Sequence, residues 1–251
     1  MTRIALITGA TSGIGREFVN LLKDDPSYDE LWIVGRNERA LEEASDGRII
    51  PIKADLADPS STDRIIARIR SANITVGLLA NCAGLGYRSA VADQSSDMIS
   101  SMLDVNAKAL TLLTNGCLPY MEDGSSKIIN IASSAGFLPQ PGFAVYAASK
   151  SYVISFGRAL AEELKPRRIT VTTVCPGPVE TGFQEVATQG REREFTGLWK
   201  TLSVKPADVA RASLKASSRG RSVLVYGFSQ KLLHFAAKFI PHKWILSVIK
   251  W

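Results

Sequence analysis

The chain has 251 residues, 45% of them hydrophobic and 22% charged, which is enough apolar material for a full core within one α/β domain. Its net charge of +6 is confined to one end: Val209–Trp251 holds eight Lys/Arg and no Asp or Glu, which leaves 22 of the 30 bases facing all 24 acids in residues 1–208. No nucleic-acid-binding motif accompanies that charge, so a nucleic-acid partner is not expected, and the three cysteines, Cys82, Cys117 and Cys175, have neither the pairing nor the spacing of a disulfide framework or a zinc site.

In chain order, "RIALIT" reads as a first strand, and its apolar run is too short for a signal peptide or a spanning helix, so a cytoplasmic protein is expected. It runs into "TGATSGIG", Thr8 to Gly15, and then a helix over 13–24. Glycines 9, 13 and 15 supply the tight turn, the close backbone approach and the open helix N-terminus that a pyrophosphate needs, with Thr11, Ser12 and Ile14 between them. The second strand, "LWIVG", ends in "VGRNER". Gly35 stands where an acid would hold the 2′-hydroxyl of NAD, and Arg36 beside it offers a planar fork to a 2′-phosphate, so NADP is preferred over NAD, with Arg16 or Arg39 assisting.

A helix over 38–45, the strand "RIIPIK", the segment "ADLAD" and a helix over 60–71 follow, then the strand "ITVGLLAN" and the run "NCAG". One long helix is expected over 96–122. The strand "KIINIAS" leads through Ser133 and Ser134 to a helix over 143–164 that contains "VYAASK". In that stretch Tyr146 and Lys150 are four residues apart and share a helix face. The strand "RITVTTVC" gives way to "PGPVET" and a long mixed segment, 178–205, read as a substrate lid. A helix over 207–217 and the strand "RSVLVYG" complete the pattern. Seven near-continuously apolar strands alternating with helices imply a Rossmann-type doubly wound parallel sheet, helices on both faces, in one domain over 1–227.

These motifs, in this order, resemble a short-chain dehydrogenase/reductase of the compact, roughly 250-residue type, from Arg3 to about Gly227. "TGATSGIG" resembles that family's glycine motif, "ADLAD" its adenine pocket with Asp55 and Leu56, and "NCAG" its fourth-strand motif with Asn81, Ala83 and Gly84, departing from it at Cys82. The resemblance carries the catalytic set onto Asn106, Ser133, Tyr146 and Lys150, with Ser134 the second choice of serine, and the nicotinamide-holding segment onto Pro176, Gly177, Val179 and Thr181. It implies an NADP(H)-dependent oxidoreductase interconverting a ketone and a secondary alcohol. In it Tyr146 is the acid/base, Lys150 lowers its pKa and holds the ribose, Ser133 orients the carbonyl, and Asn106 orders a relay water. A homodimer or homotetramer is the expected assembly. The rival is a dinucleotide-binding regulatory or peripheral membrane protein without turnover, against which a complete tetrad argues.

The aromatic content of the lid (Phe183, Phe195, Leu198, Trp199) and its surroundings (Leu85, Tyr87, Phe137, Leu138, Phe143) favours a lipophilic substrate, such as a steroid or a long-chain 3-ketoacyl group. No metal site is expected; His234 and His242 read as part of the polar face of the tail. That tail, 228–251, carries two apolar helical stretches hinged at Pro241 with Lys231, Lys238, Lys243 and Lys250 among them. Three readings of it compete: packing in an oligomer or the core, lying at a membrane interface, and lining the site mouth.

Overall fold

The computed structural model describes residues 1–188 and 203–248, so Phe195, Leu198, Trp199, Lys250 and Trp251 lie outside the described residues. Seven strands, β1 (Thr2–Thr8), β2 (Glu30–Gly35), β3 (Ile49–Lys53), β4 (Ile74–Asn81), β5 (Lys127–Ile131), β6 (Thr170–Pro176) and β7 (Val223–Tyr226), form one sheet. Its order is β3-β2-β1-β4-β5-β6-β7, and every pairing is parallel. The sequence explains the burial on both faces: along β1, Ile4 and Leu6 enter one core layer while Ala5 and Ile7 enter the other, and none of the four reaches solvent.

The first layer takes Ile65 and Ile69 from α3 (Pro59–Ser71), Met102 from α4 (Ser96–Leu103), Leu113 and Cys117 from α5 (Leu110–Cys117), and Leu160 from α6 (Ala144–Glu163). The second takes Phe18, Val19 and Leu22 from α1 (Gly13–Leu22), Leu41 from α2 (Glu38–Ala44), and Val209 and Ala210 from the helix Pro206–Ser218. Each large side chain so buried contributes about 1.5–3 kcal/mol. Helix starts follow local chemistry: Asp58 accepts from Ser60 N at 2.9 Å with Pro59 in the first turn, and Ser95 accepts from Met98 N at 3.2 Å.

The helix expected over 96–122 is broken. Between α4 and α5 the chain makes a π turn over Asp104–Ala109, and after α5 a short 3₁₀ turn, Leu118–Tyr120, forms at Pro119. The π turn centres on Asn106, whose side chain is pulled out of the helical pattern by partners on other elements, as described below.

After β6 the segment expected to be a lid runs into α7 (Phe183–Thr188) and is described again from Ser203 to Lys205. Its two ends are stitched at the base: Val204 N donates to Pro178 O at 2.9 Å, Glu180 N to Val204 O at 3.1 Å, and Ser203 Oγ to Glu180 Oε1 at 2.8 Å. The chain then enters α8 (Pro206–Ser218), β7, α9 (Phe228–Phe239) and α10 (His242–Val248), with Pro241 between the last two. Among the described residues, no helix is long and apolar enough to cross a membrane.

Candidate active site

The order of the sheet reverses between β1 and β4, and the crevice beyond their carboxyl ends is where an open α/β sheet receives a ligand. The glycine turn fills one side of it. Gly9 has φ +63°, and a Cβ there would lie 2.9 Å from the Ala83 main chain; a Cβ on Gly15 would lie 2.2 Å from Gly9 O. Only glycine lets β1, the turn and the end of β4 approach so closely. Ser12 caps α1 in an extended conformation, without a side-chain hydrogen bond, and no acid occupies the first turn. The first-turn N–H groups are therefore open to an anion, and the cradle fits a dinucleotide pyrophosphate. Gly13, at φ +51°, faces Thr181, whose Cγ2 would be 3.0 Å from an added Cβ, so the segment after β6 folds back over the turn.

Arg36 is exposed at the end of β2, beyond Gly35, which packs on Thr11. Arg39 is engaged with Glu43 at 2.8 Å along α2. Asp55, after β3, accepts from Ala57 N at 3.0 Å and Leu56 is buried. The side chain of Asn81 is spent inside the sheet, donating to Asn130 Oδ1 at 2.9 Å and to Thr114 Oγ1 at 3.2 Å. Cys82 N and Ala83 N both donate to Thr8 Oγ1, at 3.0 and 3.1 Å, and the Cys82 thiol packs against the second core layer, where burial pushes its pKa up. The departure at Cys82 is thus a change of packing that leaves the main-chain path of "NCAG" tied to β1.

Tyr146 and Lys150 share the inner face of α6, at 7% and 4% exposure. Lys150 Nζ donates to Ile131 O at 2.8 Å, lies over the Tyr146 ring at 5.8 Å from its centroid, and would sit 3.3 Å from a Cβ at Gly84. Ser133 follows the end of β5; its hydroxyl accepts from Ala135 N at 3.1 Å and acts on the Tyr146 phenol as a hydrogen-bond partner. Ser134 is turned into the protein and buried. Asn106 in the π turn accepts from Leu85 N at 2.8 Å and donates to Leu85 O at 2.7 Å and to Ser149 Oγ at 2.9 Å; Ser149 in turn donates to Tyr146 O at 2.7 Å. Asn106 thereby fastens the loop after β4 to the helix that carries the tyrosine.

In this arrangement burial, and not Lys150, sets the direction of the Tyr146 pKa. The phenol is stacked on Phe143 with ring centroids 4.3 Å apart and covered by Phe183 at 5.4 Å. This burial pushes it up to about 12, against the opposing effect of Ser133. The ammonium points at the Ile131 carbonyl, and burial brings its own pKa down to about 8, against Cys82 and Cys175 nearby.

Of the expected apolar wall, Phe143 and Phe183 meet at Tyr146, around Gly86, where a Cβ would be 2.6 Å from Phe183 and 3.0 Å from Tyr146. Phe137 goes elsewhere, packing against the His234 ring in a tilted arrangement with centroids 4.3 Å apart. His234 consequently sits on the inner side of α9, not on a solvent-facing polar face; His242 is exposed. Three neighbours of the site escaped the sequence reading. Ser149 lies inside "YAASK" and Gly86 just past "NCAG", so adjacency to a motif was their signal. Arg88, whose guanidinium lies over the Phe143 ring at 5.4 Å, had none. Among the described residues, no group of three or more His, Cys, Asp or Glu is placed to hold a metal.

A family model described as short chain dehydrogenase matches residues 3–192. Sulfoacetaldehyde reductase 2 of Chromohalobacter salexigens is 34% identical over 220 residues, covering 84% of this chain and 86% of the relative. Among solved structures, the closed form of serine dehydrogenase complexed with NADP+ is similar with a TM-score of 0.76 at 27% identity, covering 89% of this chain and 94% of that one. A short-chain dehydrogenase from Sphingobium yanoikuyae in complex with NADPH has a TM-score of 0.78 at 24% identity, covering 100% and 97%, and bears on the fold alone. On the glycine turn, the seven-stranded sheet and the extent of these matches, the chain belongs to the short-chain dehydrogenase family and is an NAD(P)-dependent oxidoreductase.

Proposed function

We propose that this oxidoreductase uses NADPH in preference to NADH to reduce a lipophilic ketone, of steroid or long-chain 3-ketoacyl type, to a secondary alcohol. The observation that carries the reading is the meeting of Tyr146 and Ser133 with Lys150 beneath them, held by Asn106, at the carboxyl edge of the sheet beside the glycine cradle. Arg36, exposed at the end of β2, supports the 2′-phosphate. The bound cofactor supplies the hydride. Lys150 would hold the nicotinamide ribose, Pro176, Gly177, Val179 and Thr181 would hold the nicotinamide, and Asn81, Ala83 and Gly84 would serve through their main chain.

The proton comes from Tyr146. Even with the phenol near 12, transfer to an alkoxide, whose conjugate acid titrates near that of water at roughly 16, is downhill by about 5 kcal/mol. Ser133 donates to the developing oxyanion, and Lys150 offsets the charge left on the phenol. The π turn widens the helical ladder at Asn106, where a water linking Lys150 to solvent enters. Phe143 and Phe183 supply the apolar wall. Cytoplasmic residence fits three free cysteines, two of them buried, and self-association into a homodimer or homotetramer fits the outer face of α5 and α6, where Leu112 and Tyr152 are exposed.

A second reading, a carbonyl substrate carrying an anionic group, is favoured by Arg88 over Phe143 beside Tyr146, and by the name of the sulfoacetaldehyde reductase relative. The test is NADPH and NADH oxidation, followed by absorbance, over steroid ketones, 3-ketoacyl thioesters, small acidic aldehydes and keto sugars. Turnover of a lipophilic class with NADPH is expected, falling about 10²–10⁴-fold in Tyr146→Phe with NADPH binding retained. Turnover confined to acidic aldehydes would select the second reading. Equal activity in Tyr146→Phe would overturn the mechanism.

A further inference from the structure

Helix α9 turns its largest apolar side chains outward. Gln230 and His234 face the protein, beside the partly buried Leu233 and Ala237: Gln230 packs beside Gly177, where a Cβ would lie 2.8 Å from its Nε2, and the His234 ring lies 4.3 Å from that of Phe137. The opposite face carries Phe228, Leu232, Phe235 and Phe239, which are 86%, 63%, 61% and 68% exposed. Their spacing of four, three and four residues sets them in one narrow stripe on the helix. Ile240 and Trp244 extend the exposed apolar surface past Pro241. A stripe of this size requires a covering partner.

Charge decides which partner. Lys231 and Lys238 border the stripe on one side, each one residue before a stripe member, and both are exposed. The other flank holds Ser229 and Ala236, and the whole segment from Val209 to the end of the chain contains no acid. A second copy pairing through this stripe would form a heptad seam with Lys at both flanking positions on one side and no Glu or Asp to receive them. Antiparallel copies would set lysine against lysine, and parallel copies would set lysine against serine and alanine. An anionic lipid surface satisfies both features at once, taking the aromatic stripe below the headgroups while the lysines reach up to the phosphates.

We propose that α9 docks this protein onto an anionic lipid bilayer, lying in the interface with Phe228, Leu232, Phe235 and Phe239 buried among the acyl chains. The inner face of α9 touches both the segment after β6 and the turn after Ser133. Docking therefore sets the bilayer beside the candidate site, and delivery of a lipophilic ketone from the membrane is the corollary, which alone rests on the proposed function.

The experiment is vesicle co-sedimentation of the full chain with phosphatidylcholine, and with phosphatidylcholine mixed with phosphatidylglycerol, at low and high salt, alongside light scattering in lipid-free buffer. Turnover is measured separately, so loss of the reaction and loss of docking are distinguishable. The expected result is sedimentation with anionic vesicles that weakens with salt. Lys231→Glu/Lys238→Glu should weaken it by at least about tenfold, given roughly fivefold per lysine, and Leu232→Ser/Phe235→Ser should remove it. Circular dichroism of both variants should match the parent, since all four side chains point away from the core. Failure to sediment with either vesicle, or binding that both variants retain, overturns the proposal. So does a lipid-free oligomer that Leu232→Ser/Phe235→Ser converts to monomer, which would assign the stripe to a second copy.

Discussion

Tyr146 packs against Phe143 and Phe183, and burial raises a phenol pKa that already lies above neutrality, so the side chain meets the substrate protonated. Its partner titrates far lower. With Lys150 brought down to about 8, kcat/KM for ketone reduction should stay level through neutral pH and fall above about pH 8, as the ammonium that offsets the departing proton's charge is lost. Tyr146 remains protonated across that range, so the limb belongs to the lysine; Lys150→Met should be slower throughout and lack it. A limb that appears only above pH 10 in the parent would remove Lys150 from that role. That Tyr146 and Lys150 share a face was legible because helix spacing is local and a separation of four residues fixes it whatever surrounds it, while the choice of Asn106 and Ser133 came from the family resemblance. The pKa direction was not legible. It depends on two phenylalanines, one of them from the lid, and no spacing rule reports desolvation by a distant segment.

At the scale of elements, α6 crosses β6 at Gly157, where a Cβ would fall 1.9 Å from Thr173 Oγ1 and 3.2 Å from Thr173 Cβ, so that the buried threonine must turn or the helix must shift to admit it. Gly157→Ala should therefore lower stability by about 1–3 kcal/mol in urea unfolding, in spite of the better helix propensity of alanine. Because α6 also carries Tyr146 and Lys150, the displacement should lower turnover as well. Unchanged stability would mean that α6 rests farther from the sheet than described here. Strands and helix starts could be read from sequence since apolar runs, Pro59 and the capping Asp58 and Ser95 act within a few residues. The π turn at Asn106 could not, because its cause is Leu85 and Ser149, 21 and 43 residues away. Helix α9 fails for a different reason. Periodicity tells which residues share a face, but not whether that face looks inward, and here Gln230 and His234 face the protein while the phenylalanines face out.

The whole molecule is organised around a crevice that segments from six of its strands approach. The glycine turn comes from β1, Arg36 from β2, Asp55 from beyond β3, Ala83 and Gly84 from β4, Ser133 from β5, and Thr181 from the segment after β6. A ligand spanning them would couple strands from one edge of the sheet to the other, and would bind the folded chain alone. Mass action then gives about 2.7 kcal/mol of stabilisation at a hundredfold excess over Kd, which for a chain of this size is a rise in Tm of about 5–10 °C. NADPH should give that rise in a thermal melt, and NADH a smaller one at equal concentration, because the proposed function gives Arg36 the 2′-phosphate to pair with. In Arg36→Ala the two cofactors should become nearly equal, with the NADPH shift falling toward that of NADH and the unliganded Tm unchanged, since the Arg36 side chain is exposed and outside both core layers. Equal shifts in the parent protein would assign no 2′-phosphate recognition to Arg36. The absence of any shift with either cofactor would mean that the crevice, though framed by glycine, does not hold a dinucleotide.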